Sequence, residues 1–293
     1  MDIITKQTIV SDFRKLGIIL GDVVFITADL SKVGYVNKSQ SQTINDWKEI
    51  LKEVVGENGS VIVAAYTEAT LFFKKSSSIF QRFSRSYAGS LANGLIKDST
   101  FTRSTHPTNS CIGFGVEAYE ILKKHTPQSL SYEFLEEIIK RGGKFLMIGT
   151  IDSNNAPPGI HYAQEKLGFT KFSLYKNLFY IKYYNEFDEI KKFIRKDFGG
   201  CSRGGLNLYG HLISNDIVKI HKIGNAISCV MPAKESSFLI RDLLNKNRKI
   251  IQCGNKDCID CYGNFVYNNF GIVPFYFSNI IKIGQRLILK ILG

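Results

Sequence analysis

The stretch LEEIIKRGGKFLMIGT, residues 135–150, changes character twice. Leu135, Ile138 and Ile139 are spaced as on one side of a helix, with charged residues between them. Gly142 and Gly143 then stop that helix, because glycine takes the left-handed backbone of a helix end without a Cβ clash. Phe145–Ile148 is apolar throughout and too short for a helix, which predicts a strand buried on both faces. The chain turns polar again at Gly149 and Thr150.

The same alternation extends outward from this stretch. VSDFRKLGI (10–18) has helical periodicity, and DVVFITADL (22–30) is a short β-rich run that ends polar. TINDWKEILKEVV (43–55) predicts a helix opening at Thr43 or Asn45. GENGSVIVAAYTE (56–68) predicts a Gly/Asn turn into a strand over Ser60–Ala65, and a further helix is expected from about Val116 to Lys124. Strands separated by helices imply an α/β fold with a mixed, largely parallel sheet flanked by helices, and functional loops at the strands' carboxyl ends. No repeat or low-complexity linker interrupts the chain, so residues 1–293 read as one domain with 241–293 as a C-terminal elaboration.

Composition narrows the function. At 293 residues and 44% hydrophobic, the chain can bury a large core. Its start lacks the basic, apolar, small-residue order of a signal peptide and no apolar run is long enough to span a bilayer, so a cytoplasmic protein is expected. The net charge of +12 suggests an acidic partner such as a phosphate or nucleotide. Nucleic acid is disfavoured, since the Lys and Arg are dispersed and no binding motif is present. The tail SNIIKIGQRLILKILG (278–293) suits either a helix packed on its own domain, the favoured reading, or one lying on a membrane surface; stable membrane insertion is not expected. A homodimer is compatible with the sequence.

The six cysteines are expected to be reduced. Cys253, Cys258 and Cys261 have the C-x4-C-x2-C spacing seen in one class of iron-sulfur proteins, with Cys201 or Cys229 as a conceivable fourth ligand. No second paired motif supports a metal, so a surface hairpin with no metal is the favoured expectation, and a metal or cluster protein the alternative.

Chemistry concentrates at the predicted strand ends. The polar segments TADLSKVG (27–34), AYTEATLF (65–72) and GTIDSNNAPPGIHYAQEKLGF (149–169) each follow an apolar strand, which brings them toward one cleft. In the third, His161, Gln164 and Glu165 fall within one turn if a helix starts near Gly159 or Ile160. A histidine oriented by a neighbouring acceptor is an effective general base near neutral pH. In the segment FTRSTHPTNSCIGFGVEA (101–118), Arg103 suits an anion but could equally be an exposed arginine without a ligand. His106, fixed in extended geometry by the following proline, suits loop architecture and ligand positioning more than proton transfer.

Taken in order, VVFITADLSKVGYV, VVGENGSVIVAAYTE, FTRSTHPTNSCIGFGVEA, GGKFLMIGT and NNAPPGIHYAQEKLG resemble the aminoglycoside 3-N-acetyltransferase family over residues 7–170 and more loosely to about residue 240. The resemblance implies a mixed α/β fold distinct from the common acetyl-CoA N-acetyltransferase fold. It implies transfer of an acyl group, acetyl or another, from acyl-CoA to a primary amine of an aminosugar. It places His161 at the catalytic histidine. It places Thr27, Ser31, Lys32 and Gly34, with Arg103, Ser104 and Ser110, around the cofactor, and Thr67, Glu68, His106, Asp152, Asn154 and Asn155 around the acceptor. The family usually has an acid three residues after the histidine, where this chain has Gln164 followed by Glu165, so Glu165, or less effectively Gln164, is expected to orient His161. Direct transfer in a ternary complex is expected, with Thr67 or Ser110 as oxyanion donors; Cys111 as an acyl carrier is the competing mechanism. The basic charge favours an anionic acceptor such as a nucleotide-linked aminosugar, with an aminoglycoside antibiotic as the runner-up. A non-catalytic protein binding CoA or sugar is the alternative from another class.

Overall fold

The computed structural model describes residues 4–74, 78–151, 155–169, 178–196, 201–264 and 272–292. Helix α1 (Lys6–Leu16) leads into β1 (Val23–Ala28), α2 (Gln40–Val55) and β2 (Ser60–Ala64). Short strands β3 (Thr70–Leu71) and β4 (Ile79–Phe80) precede α3 (Ser90–Ile96), β5 (Thr102–Arg103), β6 (Cys111–Phe114), α4 (Val116–Lys124), α5 (Phe134–Lys140) and β7 (Lys144–Ile148). Then come α6 (Ile160–Lys166), β8 (Phe179–Tyr184), β9 (Ile190–Ile194), α7 (Ser202–Gly205), α8 (Asn207–Ser214), β10 (Lys219–Ile223), β11 (Ala226–Pro232), α9 (Ala233–Lys246) and α10 (Ile272–Leu292).

The main sheet runs β10-β11-β7-β1-β2-β6-β5. Its centre, β7-β1-β2, is parallel, while β11, β10, β6 and β5 are joined antiparallel. The expected mixed α/β architecture is present, with the parallel pairing confined to the middle. There the connections contain helices long enough to return the chain to the same end. A smaller sheet of β3, β8, β4 and β9 was not foreseen, because its strands are very short or carry polar residues on both faces.

The alternating side chains of the central strands serve two cores. Val24, Ile26, Leu146 and Ile148 face α1, α2 and α3, where Phe13, Trp47, Leu51 and Leu95 are buried. Phe25, Phe145 and Met147 face α4, α5, α8 and α9, with Phe134, Leu122, Leu212 and Ile240. Strands covered on both faces must be apolar at every position, which is why LEEIIKRGGKFLMIGT could be read so directly.

Two local expectations are corrected. Helix α2 opens at Gln40 rather than near Thr43 or Asn45, because Ser39 caps it by accepting the Gln42 N–H at 3.2 Å. In α10, Phe275 and Asn279 are buried, but Val273, Phe277, Ile280 and Ile281 form an exposed apolar row, so among the described side chains the helix packs only partly on its own chain. No helix among the described residues is long and apolar enough to cross a membrane.

Candidate active site

Because β1, β2 and β7 are parallel, their carboxyl ends open on one side of the sheet. A cavity of about 580 Å³ lies there, lined by Thr27 to Leu30 at the end of β1 and just beyond it, Ala64 and Tyr66 at and after the end of β2, and Thr150 after β7. Asn155 to His161, together with Tyr87, Tyr132, Arg195 and Ser202, complete its walls.

Helix α6 begins at Ile160, as the sequence predicts, and puts His161 on the cavity wall. Its Nδ1 lies 2.7 Å from Oε1 of Gln164. With the amide oxygen facing the ring, Nδ1 carries the hydrogen and donates it, leaving Nε2 as the basic nitrogen. Gln164 is itself 1% exposed, so its amide is enclosed by protein.

Glu165 has a different employment. Its two carboxylate oxygens accept the backbone N–H groups of Ser131 and Tyr132, each at 3.0 Å. That grip fixes the segment from which the Tyr132 ring approaches His161, with centroids 5.2 Å apart. The expectation that Glu165 orients His161 is therefore corrected: the group at Nδ1 is the neutral amide of Gln164, and the carboxylate supports the neighbouring wall.

Other candidate residues divide sharply by location. Thr27 lines the cavity, its hydroxyl 3.4 Å from that of Thr150, and Asn155 lines it while donating to the Thr150 carbonyl. Thr67 and Glu68 line an adjoining cavity of about 330 Å³. Ser31 donates to Asp29 at 2.6 Å, and Gly34 backs onto Asn225; neither of them, nor Lys32, lines these cavities. Asp152 and Asn154 lie outside the described residues.

In the Arg103 to Ser110 segment, Thr108 and Asn109 line the adjoining cavity, while Arg103, Ser104, His106 and Ser110 are buried behind it as a brace. Arg103 is 7% exposed and donates to Ser110 Oγ, to the carbonyls of Arg82, Ser84 and Ala65, and to Thr67 Oγ1. Both earlier readings of it, as an anion binder and as an exposed arginine, are corrected: its donors are taken up inside the protein. Burial, with a smaller push from Arg82, lowers its guanidinium to about 10. Ser110 donates its own hydroxyl hydrogen to the Ala65 carbonyl, so it has none to offer an oxyanion. Ser104 accepts the Cys111 N–H and contacts His125 Nδ1.

His106 is fully buried, accepts the Asn109 N–H on Nδ1 and stacks on His125 with centroids 4.6 Å apart. Burial, the neighbouring His125 and Lys196 hold it neutral, its titration pushed well below the usual histidine range. Its role is loop architecture, and substrate contact is corrected by its depth. Cys111 is likewise fully buried, and burial drives its thiol well up, which removes it as an acyl carrier.

Several lining residues escaped the sequence. Tyr87, Tyr66, Tyr132 and His161 form a chain of rings along the wall, with successive centroids 6.1, 6.2 and 5.2 Å apart. Nothing in their spacing links them; only the fold does. Arg195, after β9, lines both cavities. Tyr87, Gly89 and Ser90 are also shared with an open groove of about 1150 Å³ that carries Lys48, Arg85 and Lys97.

No curated protein sequence shows significant similarity to the chain. Among solved structures, aminoglycoside acetyltransferase AAC(3)-IVa as the apoenzyme aligns with a TM-score of 0.70 at 15% identity, covering 87% of this chain and 94% of its own. AAC-IIIb, solved as a binary complex with CoASH, gives 0.66 at 20% identity over 84% and 97%. The YokD protein of Bacillus subtilis gives 0.67 at 17% identity over 83% and 100%. These likenesses establish the fold. The family model described as aminoglycoside 3-N-acetyltransferase matches residues 25–244, three quarters of the chain and all of the cleft-forming sheet but the first two residues of β1, and the chain therefore belongs to this family of acyltransferases.

Proposed function

We propose that the protein transfers an acyl group, acetyl in the simplest case, from acyl-CoA to a primary amine of an aminosugar, with His161 as general base. The observation that carries this reading is His161 on the cavity wall with Nδ1 tied to the Gln164 carbonyl. An amine attacks a thioester only as its free base, so Nε2 takes its proton as the C–N bond forms and returns it to the departing thiolate as the C–S bond breaks, which releases CoA as the thiol and regenerates neutral His161. The solved complex of AAC-IIIb with CoASH supports acyl-CoA as the donor.

Transfer is direct, within a ternary complex, since the buried Cys111 offers no carrier. The hydroxyls of Thr27 and Thr150, both on the cavity lining, are better placed for the thioester oxygen than Ser110. The groove bearing Arg85 and Lys97 suits the CoA phosphates. The tyrosine wall suits the sugar ring and the pantetheine arm.

For the acceptor, the cavity lining favours an aminosugar of low positive charge, such as a nucleotide-linked one used in surface polysaccharide. A polycationic antibiotic calls for several carboxylates. Among the described lining residues of the two cavities, Asp29 and Glu68 are the acids, offset by Arg195. We take the protein to act in the cytoplasm, where acyl-CoA is available, as one domain over residues 1–293.

The test is release of CoA thiol from acetyl-CoA with a panel of nucleotide-linked aminosugars and aminoglycosides. Turnover is expected with the former, and His161→Ala should lower kcat by about 10² to 10⁴ while CoA still binds. CoA binding without turnover on any amine would leave the protein a non-catalytic binder.

A further inference from the structure

Four cysteines outside the cleft converge. The Sγ atoms of Cys201, Cys253, Cys258 and Cys261 all lie within 4.8 Å of one another, and those of Cys253 and Cys261 are 3.6 Å apart. All four are free thiols. We propose that they form a structural zinc site holding the segment 251–264 against the start of α7.

The distances fit a single ion. A tetrahedron of Zn–S bonds of about 2.3 Å has edges of about 3.8 Å, within the range the sulfurs already span. An iron-sulfur cluster distributes its four thiolates over two or four irons and spreads the set further than one ion does, so the spacing that resembles an iron-sulfur motif in sequence reads differently in space. Four thiolates and no histidine or carboxylate is a donor set that selects a soft tetrahedral ion. Binding replaces four thiol protons, released to solvent, by one Zn²⁺.

The fourth ligand is Cys201, not Cys229. Cys229 lies in β11 beside Met147, buried in the core of the main sheet. Cys201 is brought to the other three by contacts that need no metal. Asn207 donates to the carbonyls of Ile250 and Gln252 at 2.8 and 3.1 Å. Gly204 packs so closely on Ile251 that a Cβ there would sit 1.8 Å from its carbonyl oxygen. The Cys253 N–H points at Cys261 Sγ, 3.3 Å away, an interaction that supports a thiolate.

The site also has a consequence for the cleft. Ser202, the next residue after Cys201, lines the main cavity. The ion would therefore pin one cleft wall to a segment beyond the part of the chain that matches the family model. Its role is positional, separate from acyl transfer.

The test uses the full chain, reduced, grown with zinc and purified without a metal-binding tag. Elemental analysis should find about one zinc per chain. Cobalt added to the chelator-treated protein should give the charge-transfer and d–d bands of a tetrahedral tetrathiolate centre, and zinc should abolish them. Cys258→Ser and Cys261→Ser should each lower zinc about tenfold or more, whereas Cys229→Ser should keep it. Should the ligand variants fail to fold, the cobalt spectrum of the unmodified chain decides. A folded, reduced wild-type protein with neither zinc nor a tetrathiolate cobalt spectrum overturns the proposal, as does stoichiometric iron from a zinc-replete culture.

Discussion

Restoring the carboxylate that the family carries three residues after the histidine, by Gln164→Glu, should change the pH profile more than the fold. The side chains are nearly isosteric, and Oε1 already sits 2.7 Å from His161 Nδ1. A neutral carbonyl fixes the tautomer but adds no net charge to stabilise the imidazolium; a carboxylate does both. With charge centres about 4 Å apart and an effective dielectric near 20, the attraction is about 4 kcal/mol. Part of this is lost to burying the new carboxylate at a position that is 1% exposed. A rise of about 1 to 3 pH units in the histidine titration remains. The acid limb of kcat/KM, followed by thiol release between pH 5 and 9, should move up by that amount, making the variant slower than wild type in acid. Above the limb, its stronger base should leave it at least as fast. The acceptor amine contributes equally to both profiles and cancels from the difference. A limb moved by less than about half a unit, in a variant with unchanged thermal stability, refutes the assignment of Gln164 as the partner that sets the basicity of His161.

Three further outcomes follow from the surrounding geometry. Glu165→Ala should cost about 2 to 5 kcal/mol in urea unfolding, because the buried N–H groups of Ser131 and Tyr132 lose both acceptors; a change below about 0.5 kcal/mol contradicts the anchoring role. Arg103→Lys should destabilise by about 2 kcal/mol or more despite keeping the charge, since a single ammonium cannot reach the carbonyls of Arg82, Ser84 and Ala65 together, and equal stability would show that the guanidinium fork is dispensable. Burial lowers His125 to about 3 and moves His106 in the same direction, so below pH 6.5 the unfolded chain binds protons that the folded one does not. Stability should therefore fall as pH drops through the window from about 6.5 to 5, by about 1.4 kcal/mol per unit for each histidine, and be level above about pH 7. Asp98 and Glu137, held near 2 by hydrogen bonds from Lys48 and Lys140, add a loss in the same direction only below about pH 4.5. His125→Asn should roughly halve the slope in the upper window, and an unaltered slope is the contrary result.

What could be read from residues alone followed the local rules of the chain. LEEIIKRGGKFLMIGT carries its helix, its glycine stop and its buried strand in adjacent positions, because a strand covered on both faces must be apolar throughout. Helix α6 and the His161–Gln164–Glu165 turn were equally legible, since residues three and four apart on a helix are necessarily neighbours. Which of the two acceptors takes Nδ1 was not, for it depends on Ser131 and Tyr132, more than thirty positions earlier, claiming the Glu165 carboxylate. The loop from Arg103 to Ser110 misled for a related reason. Arg, His and Ser look reactive in a string, but burial turns an arginine into a multiple donor for carbonyls and keeps a histidine neutral. The tyrosine row from Tyr87 to His161 and the meeting of Cys201 with Cys253, Cys258 and Cys261 leave no periodic trace, because such contacts close across loops whose lengths are not set by any repeat. Local sequence determined the central strands, the helices beside them and the His161 turn; only tertiary packing decided which polar groups reach the cleft and which are spent holding it together.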